Sequence, residues 1–229
     1  MEVKSVTLQT KCIKEMRKFY VEKFGFPLLK ADKDSIQIVI GSSTLKFTSE
    51  NIEGKPYYHF AFNIPANQFA EAKSWVKEKV SLNIEDGDDE IYFSGSDAHS
   101  LYFYDPAGNI VEFISRHSIS RKRMEPFSIE SVLNISEIGL IVDDAIDVGK
   151  RLMDIGIYER ENQPLSPTSL HFMGDASKGI FILLTQPGRR WIFSDKVSAI
   201  YPLEIITINN NRIIMNSNKQ LEVYKTSYK

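Results

Sequence analysis

The stretch Leu101–Ser115, LYFYDPAGNIVEFIS, constrains this chain more than any other part of it. Its first arm, Leu101-Tyr102-Phe103-Tyr104, is apolar and aromatic and reads as a strand. Pro106 presets φ for a turn corner, Asp105 can bond the backbone just beyond it, and Gly108 or Asn109 can take the positive φ that closes a hairpin. The second arm, Ile110 to Ile114, is β-branched and apolar except for one carboxylate. Alternation puts Ile110, Glu112 and Ile114 on one face and Val111 and Phe113 on the other. A carboxylate between two isoleucines on a buried face needs a metal, a cation or a proton.

The rest of the chain supplies strands and helices in a repeating order. Val3 to Thr10 alternates as a strand, with Val6 and Leu8 on one face and Ser5, Thr7 and Gln9 on the other. Lys14 to Phe24 reads as a helix ended by Gly25, and strands follow near 28–31, at 36–40 and at 44–48. Tyr57 to Ile64 is the next strand, and Asn67 is the expected N-cap of a helix with the stripe Phe69, Ala72, Val76 and Val80. Strands at 81–84 and 90–94 then lead into the hairpin. Ser5 and His59 lie about 54 residues apart, a repeat-sized period. A polar connector, His117 to Val132, precedes a third copy: a strand at 137–142, a helix capped by Asp143 or Asp144 and running to Ile155, and strands at 169–173 and 180–185. Three further strands, 203–208, 212–215 and 221–224, follow without a helix.

Composition narrows the function classes. Two hundred and twenty-nine residues suit one or two domains, and a net charge of −2 with scattered basic residues does not suggest nucleic acid. Cys12 is the only cysteine, so no intrachain disulfide can form. With no membrane-length apolar run and no signal-like start, the expectation is a cytoplasmic protein whose partner is a small-molecule ligand, with neither nucleic acid nor membrane involved. A homodimer stays open.

LYFYDPAGNIVEF, with Tyr57-Tyr58-His59-Phe60-Ala61-Phe62-Asn63 upstream and a helix between them, resembles a module of the vicinal oxygen chelate superfamily. That superfamily includes glyoxalase I, bleomycin-resistance proteins, extradiol dioxygenases and fosfomycin-resistance enzymes. The run Tyr20…Phe24-Gly25-Phe26 resembles its common helix end. The resemblance implies an α+β fold of repeated βαβββ modules whose curved mixed β-sheets form a small-molecule cup. It divides the chain into paired modules at 1–117, a linker at 118–132, and a third module with a degenerate fourth at 133–229.

In metal-dependent members, a first-strand His and a last-strand Glu of one module ligate a divalent cation. These correspond to His59 and Glu112, and Glu112 is also the catalytic candidate. Pairing modules one and two would add Ser5 and Lys46 to the same concavity. Neither suits a cation, because a hydroxyl is a poor ligand and an ammonium repels the ion. A third ligand would have to come from Gln9, His99, Glu137 or water. Ser96, His99, Ser100 and Tyr102 fall where fosfomycin-resistance relatives contact substrate, and with Ser5 and Lys46 they are the candidate ligand-binding residues. Two functions follow. One is a binding protein with a degenerate metal site, Lys46 pairing with Glu112 in place of the metal. The other is a lyase, transferase or ring-cleaving dioxygenase using His59 and Glu112 with Zn, Fe, Mn or Ni.

Overall fold

The structure, a computed structural model, describes residues 1–225; the last four residues assigned above to the C-terminal unit lie outside the described residues. Two seven-stranded sheets are built from the repeats. The first repeat contributes β1 (Val3–Gln9), α1 (Ile13–Arg17), β2 (Leu28–Ala31), β3 (Ser35–Ile40) and β4 (Ser43–Thr48). α1 continues as a wider π-helical turn through Lys23, and Gly25, at φ +86°, ends it. The second contributes β5 (His59–Ile64), α2 (Phe69–Lys77), β6 (Ile91–Phe93), β7 (Ala98–Tyr104) and β8 (Ile110–Arg116). The third contributes β9 (Asn134–Ile141), α3 (Ala145–Asp154), β10 (His171–Asp175) and β11 (Ile180–Thr185). The tail gives β12 (Leu203–Thr207), β13 (Arg212–Met215) and β14 (Leu221–Tyr224).

Within each complete repeat the first strand runs parallel to the last, β1 with β4 and β5 with β8. Between repeats the pairing differs from the expected one. β5 pairs antiparallel with β9, and β1 with β12, so the second and third repeats share one sheet while the first and the tail share the other. Repeats one and two do not form a common concavity. Alternation fixes which face of a strand is apolar but says nothing about which first strands meet edge to edge. The apolar faces of the two sheets instead pack on each other. Phe47 of one sheet lies 6.4 Å from Phe60 of the other, and Phe26 lies 5.6 Å from Phe62. Val6, Leu8, Phe60, Phe62, Phe113 and Ile138 belong to this one core.

The other faces of the two sheets differ, and this places the site. β1 keeps the alternation of a half-exposed strand: Val6 and Leu8 are buried, and Ser5, Thr7 and Gln9 are half-exposed. β5, β8 and β11 are buried at every position. The second sheet is therefore covered on its outer side as well, by the β11–β12 connection.

Two local details refine the sequence reading. Asn67 does not cap α2, whose N-cap position is Gln68; its side chain binds the backbone of Arg123 instead, accepting from the N–H at 2.9 Å and donating to the carbonyl at 2.8 Å. Asp144 does cap α3, accepting from the N–H groups of Ile146 and Asp147.

The β7–β8 turn is held by Asp105, which accepts from Ala107 N (2.9 Å), Asn109 N (3.0 Å), Asn109 Nδ2 (2.7 Å) and the Tyr20 hydroxyl (2.8 Å). Gly108 takes the positive φ, +80°. Burial pushes the Asp105 carboxyl up to about 6 in spite of these bonds. Asp105→Ala leaves several buried donors without a partner and is expected to lower stability by about 2 kcal/mol, measured by urea unfolding.

Candidate metal centre

Five strands of the second sheet bring one row of side chains together. Tyr102 of β7 is opposite Glu112 of β8, Glu112 is opposite Ala61 of β5, Ala61 is opposite Glu137 of β9, and Glu137 is opposite Phe181 of β11. Side chains in such a row share a face. Ala61, between the two carboxylates, contributes only a methyl group and leaves the space between them open. His59 stands two residues before Ala61 and so faces the same way. Its Nε2 lies 3.4 Å from Glu112 Oε2. His59 and Glu112 thus sit on one face of the sheet, as their parity requires.

The ligand atoms of His59, Glu112 and Glu137 all lie within 4.8 Å of one another, and all three residues are buried. His59 Nδ1 is 3.1 Å from the Ile110 carbonyl. A carbonyl can only accept, so Nδ1 carries the proton and Nε2 presents its lone pair to the carboxylates. Orientation of an imidazole by its second nitrogen is the arrangement metal-ligating histidines use. Burial also lowers the His59 pKa, which favours the neutral, ligating form, although the nearby Glu137 charge opposes this. The Glu112 carboxyl is pushed up to about 8, first by burial and then by Glu137; Ser100, Arg116 and Tyr102 offset part of the rise. Burial, reinforced by both glutamates, raises Tyr102 well above its ordinary value, so its hydroxyl stays protonated beside Glu112. One imidazole and two crowded carboxylates fit a divalent cation: each donor type ligates such ions, and the cation would relieve the repulsion between the acids.

Other cations reach this site differently. Arg116 Nη2 lies 2.5 Å from Glu137 Oε1, with both side chains buried. Lys46 does not approach Glu112. It lies in β4 of the first sheet, opposite Thr7 and Gln37, and Ser5 lies in β1 opposite Thr44 and Ile206. The expected Lys46–Glu112 pair is therefore absent, because Lys46 follows the first repeat into the other sheet. The missing third donor is Glu137, on the first strand of the third repeat.

Above the three donors opens a cavity of about 700 Å³. Tyr102 and Ser96 line it, as do Tyr92, Phe172 and Trp191. Ser100 is buried. His99 lies outside the lining: its Nδ1 is 2.7 Å from His117 Nε2, and its ring packs on Phe69 at 5.0 Å. The β11–β12 connection roofs the cavity. Trp191 packs on His59 at 4.7 Å between ring centroids, and Phe193 stacks on Tyr102 at 4.9 Å. Gly139 makes room for this roof, since a Cβ there would come within 3.3 Å of the Trp191 ring. Glu85 fastens the roof through Arg190 and the Phe193 N–H, and Asn83 donates to the Phe193 carbonyl. Nothing in the alternation of this irregular connection announced its covering role.

Comparison with known proteins gives a consistent picture. A family model described as toxoflavin-degrading enzyme matches residues 135–189, the segment holding Glu137 and most of the third repeat. No curated protein matches the chain significantly. Among solved structures, a candidate dioxygenase from Bacillus subtilis subsp. subtilis str. 168 superposes with a TM-score of 0.58 at 14% identity, over 80% of this chain and 63% of that one. Glyoxalase I from Zea mays superposes with a TM-score of 0.52 at 16% identity, over 80% of this chain and 66% of that one. The chain spans about two thirds of the length of each. Repeated βαβββ units, paired first strands and these superpositions together show that the chain has the glyoxalase/bleomycin-resistance/dioxygenase fold, that of the vicinal oxygen chelate superfamily.

Proposed function

We propose that this chain is a divalent-metal-dependent enzyme acting on a small molecule in the cup of the second and third repeats. The observation that supports it is the convergence of His59, Glu112 and Glu137, from three different strands, on one point at the cavity floor. Two carboxylates and one imidazole make a harder donor set than the nitrogen- and sulfur-rich sites typical of zinc, and so favour Mn(II) or Fe(II). Such an ion, when bound, supplies a Lewis acid that polarises oxygens of the substrate. Of the reactions open to this fold, ring-cleaving dioxygenation suits a redox-capable ion best. The partial match to a toxoflavin-degrading enzyme agrees with a degradative role.

The chain's own groups would orient and protect the substrate. The Tyr102 hydroxyl, held protonated beside Glu112, can donate a hydrogen bond to a substrate oxygen. Trp191 and Phe193 would cover part of the floor, over His59 and Tyr102.

Arg116 supports a second reading. Its guanidinium already neutralises Glu137, so the same cup could act without metal as a binding protein. Elemental analysis of protein purified without chelator or affinity tag separates the two. The expected result is about one Mn or Fe per chain, lost in His59→Ala while circular dichroism is unchanged. Absence of stoichiometric metal in the unaltered chain, after growth with both metals, refutes the enzyme reading.

A further inference from the structure

The charges around the cavity are unevenly placed. The chain as a whole carries a net charge of −2, yet four guanidinium groups line this cavity against two carboxylates. Both carboxylates, Glu112 and Glu137, are buried at the floor. Arg116 is tied to Glu137 there. Arg160, Arg189 and Arg190 come from the third repeat and the roof, and are the charges nearest solvent. Arg190 is held by Glu85. Arg160 pairs with Glu161, whose side chain is largely exposed, and its guanidinium lies over the Phe172 ring at 4.2 Å from the centroid. Arg189 is exposed and forms no ion pair among the described residues.

Besides these charges the lining is rich in aromatic and aliphatic side chains. Tyr92, Phe172 and Trp191 line the cavity, together with Thr168 and Ser169. An aromatic wall selects flat ligands through stacking, and a guanidinium recognises carboxylate or phosphate oxygens in paired geometry. A volume of about 700 Å³ suits one drug-sized molecule.

From this geometry we infer that the ligand of the cup is a planar aromatic or heteroaromatic anion, its ring between the aromatic walls and its acidic group against Arg160 and Arg189 at the mouth. The inference rests on the cup being the functional site, as proposed above, but not on a metal being bound. Any oxygen or nitrogen directed at His59, Glu112 and Glu137 would then be at the opposite end of the molecule from its charge. The positive mouth also draws anions toward the opening, an attraction that salt weakens.

The test uses the full chain, stripped of metal with a chelator, and two probes of nearly the same shape: 2-naphthoate and its neutral amide, 2-naphthamide. Calorimetric titration is expected to show 2-naphthoate binding at least about tenfold more tightly, with its affinity alone falling as salt is raised. The double variant Arg160→Gln/Arg189→Gln, both sites being at least partly exposed, should keep the native circular dichroism and lose that preference. Because the protein is metal-stripped, the result does not depend on the metal reading, and the two can fail separately. Equal affinity for the two probes, no measurable binding of 2-naphthoate, or a preference that survives the double variant each overturns the inference.

Discussion

An Arg116→Met variant, kept free of metal by a chelator, is expected to unfold about 3–5 kcal/mol more readily than the unaltered chain. Arg116 is 3% exposed and Glu137 5%, and the two are joined at 2.5 Å. A thioether in place of the guanidinium removes the only cation in contact with Glu137 among the described residues and leaves its buried carboxylate beside Glu112. The cost comes mainly from the stranded charge, so the double variant Arg116→Met/Glu137→Leu should recover most of the loss. Urea unfolding of the single and double variants completes the cycle. Nearly equal stabilities for Arg116→Met and the unaltered chain would show that Glu137 does not depend on Arg116. Added Mn(II) should narrow the deficit of Arg116→Met, since a divalent ion at His59, Glu112 and Glu137 supplies the missing positive charge.

The same site shows how far the sequence could be read. Parity on β5 and β8 placed His59 and Glu112 on one face, because a half-polar strand in a buried sheet permits one register only. The turn chemistry around Asp105 and Gly108 was legible for the same local reason. Which first strands pair is a long-range matter. The sequence spacing of Ser5, Lys46, His59 and Glu112 is compatible with a shared cup, yet β5 meets β9 and not β1. That one difference removes Ser5 and Lys46 from the site and brings in Glu137. Its signal was present, a lone acid in the apolar strand EIGLIV, equivalent in position to His59 on its own repeat. The roof was not legible at all. Trp191 and Phe193 lie in an irregular connection with neither period, and Phe193 adopts a φ of +52° that nothing in a bulky aromatic predicts. Ala61 is informative only after the register is known, as the small residue between two acids.

Metal binding should depend steeply on pH, and the sign follows from Glu112. Its carboxyl is raised from an ordinary 4.5 to about 8 when no metal is bound, by burial and by Glu137. Below that value the folded, metal-free chain holds a proton on Glu112 that a metal must displace. Burial lowers the His59 pKa, which favours its neutral, ligating form. Apparent affinity for Mn(II) should therefore rise about tenfold per pH unit, or about a hundredfold between pH 6 and 8, and then level off. The stability of the metal-free fold should run the opposite way. A carboxyl whose folded pKa lies above its unfolded value favours the folded state fully below the unfolded pKa, and that contribution is lost as pH rises from about 4.5 through about 8. Metal-stripped protein should thus become less stable toward alkaline pH while metal-loaded protein does not, so the stabilisation by Mn(II) widens with pH. Glu112→Gln has no proton to release and should flatten both profiles, at weaker affinity. Isothermal titrations in buffers of differing ionisation enthalpy measure the proton count directly. Release of about one proton per metal at pH 7 is the expected value, and release of none would remove Glu112 from the ligand set.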